Sequence, residues 1–195
     1  MASASDRDFA YDGGSLTARH MGAACELHWR GALHAGAVQR LRQALDAVGQ
    51  RDCERRTLVL GAVDGAVGDA ITVGAMVRNR GWDTALPPGG SCHTPCWLVF
   101  AAGTRRQMAD GPTPARVVFS QIPPDADFGH QTCATELGRA QQLTLTRYLR
   151  AMLPPPTATT VYQKLLAADC RSAEAYGPQQ ARLIGLATGP SGSPP

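Results

Sequence analysis

The residues best suited to chemistry lie together in one short segment, CHTPC, at positions 92–96. The segment contains the thiols of Cys92 and Cys96 and the imidazole of His93, and a later stretch adds His130 and Cys133. Thiolate and imidazole groups are good zinc ligands, but structural zinc sites usually combine two closely spaced ligand pairs in a regular pattern. This spacing is not one of the standard ones, so the sequence predicts no metal site, and no cofactor motif accompanies it.

A nucleophile is the alternative use of the same segment. Cys92 precedes a predicted helix, and a helix N-terminus lowers the pKa of a nearby thiol, with His93 or His130 as the base. Adjacent side chains rarely point at each other, which disfavours the pairing of Cys92 with His93. Cys96 falls on a helix without a polar face, where a small buried thiol is the ordinary expectation.

The elements that position this segment alternate between strand and helix patterns. The helix that follows it is apolar on all sides and must be buried; Thr94 suits its N-cap and Pro95 its first turn. Such alternation is typical of an α/β fold with a largely parallel sheet. The predicted strands are 25–29, 57–63, 83–86 and 115–121, all in one sheet, and the predicted helices are 34–50, 68–81, 95–102 and 138–153, with shorter helices after them.

The composition is that of one folded domain, with 44% apolar and 18% charged residues. The formal net charge of +3 comes from scattered arginines, which disfavours nucleic-acid binding. No stretch reaches the roughly 20 apolar residues of a membrane helix, and no signal-peptide pattern opens the chain. We expect a flexible segment at 1–22, a soluble domain at 23–188 and a disordered tail at 189–195. Six cysteines are too few for a disulfide scaffold, so the cysteine count does not indicate the cellular compartment.

Five local patterns, in order, resemble the Clp-protease/crotonase superfamily, in particular its bacterial Clp-like branch, whose members are often periplasmic. The resemblance covers residues 25–188 and implies a mostly parallel sheet, C-terminal helices and a trimeric or hexameric assembly. The paired cysteines of that branch are consistent with a Cys92–Cys96 disulfide if the protein is exported. The patterns are LGAVDGAVGDA (60–70), MVRNRGWDTAL (76–86), CHTPCWLVFAAGTRR (92–106), ARVVFSQ (115–121) and RLIGLAT (182–188).

The resemblance also implies where the catalytic groups would lie. Active members use a serine nucleophile at the start of the buried helix, a histidine base on the later strand and two backbone N–H groups as the oxyanion hole. Their positions correspond here to Thr94, Ser120, and Gly65 with Pro95, and Asp64 replaces the glycine before Gly65. A serine hydroxyl is no base near neutral pH, and proline has no N–H to donate. The catalytic pattern is therefore degenerate.

The remaining acidic candidates lie further along the chain. Asp169 and Glu174 fall near the position of the third triad residue in active Clp-like proteins. Because no histidine is there to be oriented, we expect both carboxylates to be solvated charges on a loop or helix end.

The first function that this pattern predicts is a pseudoenzyme. The chain would be a non-catalytic Clp-protease-like domain, acting as a self-associating scaffold or binding module. An apolar stripe through Leu143, Tyr148 and Leu149 predicts a homo-oligomer.

The second predicted function is a peptidase or esterase with a rewired active site. Thr94 or Cys92 would be the nucleophile, and His93 or His130 the base. This alternative requires three replaced catalytic groups to be compensated at once, so the sequence favours the pseudoenzyme.

Overall fold

The computed structural model describes residues 7–124 and 136–189. His130, Cys133 and most of the predicted C-terminal tail lie outside the described residues. In chain order the elements are β1 (Arg7–Tyr11), β2 (Gly14–Met21), β3 (Ala24–Leu33), α1 (Ala35–Gly49), β4 (Arg55–Gly65), α2 (Val67–Asn79), β5 (Asp83–Leu86), β6 (Ser91–Cys92), α3 (Cys96–Ala101), β7 (Arg106–Met108), β8 (Arg116–Phe119), α4 (Arg139–Met152), α5 (Pro155–Ala167), β9 (Glu174–Tyr176) and α6 (Pro178–Leu183).

Two sheets organise these elements. The larger sheet has the spatial order β1-β2-β3-β4-β5-β7, and the smaller has the order β6-β8-β9. The strands β3, β4, β5 and β7 run parallel, while β1 and β2 add an antiparallel edge. The predicted α/β class with a mostly parallel sheet and C-terminal helices is confirmed. Among the residues that the structure describes, no helix is both long and apolar enough to cross a bilayer.

One predicted strand lies in a different sheet from the one expected, so the prediction of a single sheet is wrong. The pattern at 115–121 does form a strand, β8, but β8 pairs with β6 and β9 rather than with the main sheet. The edge next to β5 is taken by β7, which has only three residues and begins with the buried Arg106. The guanidinium of Arg106 donates to the carbonyl groups of Gly103, Gly185 and Leu186. A strand this short, with an arginine facing inward, has no apolar alternation for a sequence pattern to detect.

The expectation of a flexible segment at 1–22 is wrong for residues 7–21, which form the hairpin of β1 and β2. Tyr11 pairs with Gly14 across a two-residue turn of Asp12 and Gly13, a dipeptide that favours tight hairpins. The inward side chains, Phe9 on β1 and Leu16 on β2, are buried. The alternation was hidden because polar and glycine residues dominate the composition of this stretch.

The helix α3 is the most deeply buried element. Every residue from Cys96 to Ala101 is buried, which confirms the prediction for a helix without a polar face. The Tyr148 hydroxyl on α4 donates to the Leu98 carbonyl at 2.7 Å. Arg78 on α2 donates to carbonyl groups at the ends of α3 and α4. Neighbouring helices therefore hold α3, and with it the segment that precedes it, in one place.

Candidate functional site

An open groove lies where the carboxyl ends of β3 and β4 meet β6. Crevices at the carboxyl ends of parallel strands are the usual ligand sites of α/β sheets. The groove has a volume of about 510 Å³ and combines a floor of small residues with a polar rim. Its lining consists of Gly31, Ala32, Ala62, Val63, Asp64, Gly65, Ser91 and His93.

Gly65 ends β4 at one side of this groove. Its φ of +152° and the closeness of the Leu33 backbone, 2.2 Å from where a Cβ would lie, exclude any other residue without distortion. The Gly65 N–H donates to Oδ1 of Asp64 at 2.8 Å. The turn that the resemblance assigns to the oxyanion hole is therefore present, but its N–H is occupied by the neighbouring carboxylate.

Thr94 and Ser120, the nucleophile and base positions of the resemblance, are in contact. The Thr94 N–H donates to Oγ of Ser120 at 3.1 Å. The Thr94 side chain is only 2% exposed, and its Oγ1 accepts the indole N–H of Trp97 at 2.8 Å. Trp97 in turn packs edge-to-face on Phe119, which brings β8 beside the start of α3. The threonine hydroxyl thus accepts a hydrogen bond from a buried aromatic side chain, and among the described residues the side chain at the base position is the hydroxyl of Ser120.

The start of α3 differs from the expected one. Pro95, not Thr94, occupies the N-cap, and the Thr94–Pro95 peptide bond is cis. No side chain caps this helix. The Thr94 hydroxyl lies one residue before the N-cap and accepts from the Trp97 indole instead. Pro95, at the second oxyanion position, has no N–H to offer.

Cys92 and Cys96 are joined by a disulfide, with Cα atoms 5.2 Å apart. This rules out the Cys92 thiolate as a nucleophile in the disulfide-bonded protein, because its sulfur is already bonded. A second disulfide joins Cys25 to Cys53. His20 and these two cysteines are close enough to share a metal, but the two sulfurs are bonded to each other and leave one ligand, the imidazole.

His93 lies on the rim of the groove, exposed, with its Nε2 3.2 Å from Oγ of Ser91. The contact joins two residues that the sequence patterns did not bring together. Ser91 and His93 are two apart at the end of a strand, and residues with this spacing point to the same face. That spacing was the available clue, although β6 is too short to be recognised as a strand. The other proposed base, His130, lies outside the described residues.

The carboxylates Asp169 and Glu174 are both engaged locally. Asp169 accepts from the backbone N–H groups of Arg171 and Ser172, and these bonds lower the pKa of Asp169. Glu174 pairs with Lys164 at 2.9 Å, and this hydrogen bond lowers the pKa of Glu174. Asp169 is half-buried in a loop, and Glu174 is exposed at the start of β9.

Comparison with known proteins supports the fold. No protein-family model matches the chain, and no curated protein matches it. A mutant of the 1510-N membrane-bound stomatin-specific protease matches with a TM-score of 0.60 at 12% identity, over 84% of this chain and 75% of that one. An enoyl-CoA hydratase from Mycobacterium marinum matches with a TM-score of 0.57 at 13% identity, over 88% and 75%. The chain therefore has the Clp/crotonase fold, which Clp-like proteases share with crotonases.

Proposed function

We propose that this chain is a non-catalytic, self-associating binding module that holds an extended peptide in the groove beside Gly65. The observation that carries the proposal is the Thr94 hydroxyl. It is buried, it accepts from the Trp97 indole, and the side chain at the base position is the hydroxyl of Ser120. A hydroxyl attacks a carbonyl only when a base removes its proton, so this arrangement disfavours serine-protease chemistry.

The oxyanion positions support the same conclusion. The Gly65 N–H is bonded to Asp64, and Pro95 has no N–H. Loss of a single oxyanion donor typically lowers the rate about 10²- to 10³-fold. Among the described residues, the two oxyanion positions that the resemblance assigns therefore offer no free N–H, and the residue at the nucleophile position is buried.

The groove itself supports binding. Gly31, Ala32 and Ala62 give it a floor of small residues, which lets the backbone of a ligand approach closely. A mutant of the 1510-N protease, which shares this fold at a TM-score of 0.57, has been solved in complex with a substrate peptide. We therefore propose an extended peptide as the occupant.

Peptide binding is tested with a fluorescently labelled library of unstructured peptides, by fluorescence polarisation. Ala62→Trp fills the groove and is expected to abolish binding. Ala10→Trp is the matched control, because Ala10 is also an exposed strand alanine but lies on β1 and does not line the groove. Equal affinity in both variants would contradict the assignment of the groove.

The absence of catalysis is tested with a fluorophosphonate probe and mass spectrometry of the labelled peptide. We expect no adduct on Thr94 and no difference between the parent and Thr94→Ala. A stoichiometric adduct on Thr94, or a hydrolytic rate lost in Thr94→Ala, would show the pseudoenzyme assignment to be wrong.

Self-association rests on a different surface from the one predicted. Tyr148 and Leu149 are buried within the chain, so they cannot form an exposed stripe. Leu143 on α4 and Leu166 on α5 are each 48% exposed, and they lie about equally far along the chain from the connection between these helices. We therefore propose the face formed by these two neighbouring helices as the subunit contact.

Light scattering after size-exclusion chromatography tests this assembly, and we expect a trimer or hexamer at micromolar concentration. The double variant Leu143→Glu/Leu166→Glu is expected to be monomeric, while Met21→Glu, at another exposed apolar residue, is expected to leave the assembly intact. A parent protein that is monomeric throughout this range would exclude self-association.

A second candidate function is favoured by the contact of Ser91 with His93. Ser91 Oγ would attack an ester carbonyl while His93 Nε2 takes its proton and passes it to the leaving alcohol; water would then release the acyl group by the same route. The same fluorophosphonate experiment separates the candidates. An adduct on Ser91, lost in both Ser91→Ala and His93→Gln, would favour this hydrolase over the binding module.

A further inference from the structure

All five cysteines in the described ranges are disulfide-bonded. Two bonds have both partners among these residues, Cys25–Cys53 and Cys92–Cys96, and Cys170 is bonded as well. The described residues contain no free cysteine. Disulfides persist in oxidising compartments and are reduced by the thiol systems of the cytosol. A chain that uses its cysteines in this way is matched to an oxidising environment.

The Cys92–Cys96 bond closes the segment that carries one side of the groove. It links the last residue of β6 to the first residue of α3, and His93 and Thr94 lie inside the ring. The strand β6 has two residues, so its own pairing with β8 gives this segment little support. The covalent ring therefore fixes the position from which His93 faces the groove.

The Cys25–Cys53 bond joins the starts of the two strands that carry the rest of the groove lining. Cys25 lies near the start of β3, and Cys53 lies in the connection that leads into β4. These two strands carry the rest of the groove lining, from Gly31 to Gly65, at their other ends. The bond closes a segment with a sequence separation of 28, which includes all of α1.

Burial distinguishes these two disulfides from the bond of Cys170. Cys92 and Cys96 are each 1% exposed, and Cys25 and Cys53 are also buried, whereas Cys170 is exposed. Reduction requires a thiolate to attack one sulfur directly, so access controls the rate. A buried disulfide reacts only when the surrounding structure opens.

We propose that the native site of this protein is installed by oxidation during folding in an oxidising compartment, and that Cys25–Cys53 and Cys92–Cys96 are permanent locks rather than redox switches. In forming each bond, two thiols lose two protons and two electrons to an incoming disulfide, which is reduced to two thiol groups. The oxidant is thus a disulfide-bearing folding catalyst or a small-molecule disulfide. Only the link to the groove rests on the proposed function; the cysteine chemistry does not.

The first test treats the folded parent protein with excess dithiothreitol, followed by a maleimide label and peptide mass spectrometry. Cys170 is expected to be labelled within minutes and acts as the internal control for reductant access. Cys25, Cys53, Cys92 and Cys96 are expected to be labelled only when denaturant is added. Labelling of Cys92 and Cys96 at the rate of Cys170 in the folded protein would overturn the lock and identify a redox-sensitive site.

The second test measures amide hydrogen exchange in the double variant Cys92→Ala/Cys96→Ala. The amides of Trp97 and Leu98, which bond to His93 and Pro95, are expected to exchange roughly 30-fold faster, the loop-closure effect for so short a ring. Cys25→Ala/Cys53→Ala is the control. It opens a longer loop and so lowers global stability more, but relative to slowly exchanging amides elsewhere in the same variant it should leave the amides of Trp97 and Leu98 unchanged, whereas the first variant should speed their exchange relative to those amides. Unchanged exchange in the first variant would show that the ring does not hold the site.

Neither test uses a groove ligand. If peptide binding fails while both tests succeed, only the proposed function falls, and the oxidative requirement stands. If the buried cysteines are freely reducible while peptide binding succeeds, the inference falls alone.

Discussion

The resemblance assigns catalytic positions to the end of β4 and to the start of α3, and the groups at these two positions are engaged in different ways. At the end of β4 the backbone geometry is intact, and the Gly65 N–H is covered by one exposed carboxylate, Asp64. At the start of α3, Pro95 has no N–H, and the Thr94 hydroxyl accepts a hydrogen bond from the buried Trp97.

This difference indicates which region resists change. At the end of β4, a single exposed side chain, Asp64, occupies the Gly65 N–H, and one substitution removes it. The bond between Trp97 and Thr94 is part of the core, since Trp97 is fully buried and packs against Phe119. A substitution of the exposed Asp64 should therefore leave folding nearly unchanged, whereas a substitution of Thr94 should also change the stability of the core.

The largest expected effect comes from Gly65→Ala. A side chain at this φ is strained, and its Cβ meets the Leu33 backbone, which cannot move aside without disturbing β3. We expect the free energy of unfolding to fall by about 3 kcal/mol or more in urea denaturation. Gly89→Ala is the control, because its φ is also positive but the space around it is open, and it should cost about 1 kcal/mol. Equal losses would mean that the contact at Leu33 is relieved by movement.

A smaller loss is expected for Thr94→Val, which keeps the shape and removes the hydroxyl. The buried indole N–H of Trp97 then has no acceptor, and this costs about 1–3 kcal/mol in the free energy of unfolding. Thr144→Val, at an exposed helix position, is the control and should be close to neutral. If Thr94→Val is also neutral, the hydrogen bond between Trp97 and Thr94 contributes little to the stability of the core.

Asp64→Ala is expected to change stability by less than about 0.5 kcal/mol, because Asp64 is exposed. Its effect is local: the Gly65 amide loses its acceptor and should exchange faster with deuterium. Asp64→Asn, which keeps an acceptor oxygen, should preserve the slower exchange. A large loss of stability in Asp64→Ala would show that the bond between Asp64 and Gly65 is structural, like the one between Trp97 and Thr94.

The smallest expected effect is that of Thr94→Ser, which should be silent towards a fluorophosphonate probe. Position 120 still holds a hydroxyl in place of an imidazole, and Pro95 still has no N–H to donate. The residues of a catalytic unit act non-additively, so one repair alone has little effect. The combination of Thr94→Ser, Pro95→Ala and Ser120→His restores a hydroxyl, an N–H and an imidazole, and adding Asp64→Ala frees the Gly65 N–H. We expect slow labelling at position 94 in the fourfold variant only. Labelling of the single variant would show that a base reaches Thr94 from another part of the chain.

Much of the architecture was predictable because it depends on local patterns. The 3.6-residue periodicity located α1 and α2, and the absence of a polar face located α3 in the core. The hairpin of β1 and β2 and the strand β7 were missed, because glycine-rich or very short strands lack the alternation that identifies a strand.

The sequence by itself determined what each residue at the site can do. A proline cannot donate an N–H, and a serine at position 120 cannot act as an imidazole, wherever the chain places them. These are covalent properties, so the degenerate character of the catalytic positions follows from residue types alone once the resemblance assigns the positions.

Only the tertiary structure decided which groups meet. The bond of Trp97 to Thr94, the contact of Ser91 with His93 and the pairing of Cys25 with Cys53 depend on side-chain directions and packing. The sequence left Cys92 open either as a nucleophile or, by the resemblance, as the disulfide partner of Cys96, and the fold joins it to Cys96. Contacts between residues are set by the whole core, which no local pattern specifies.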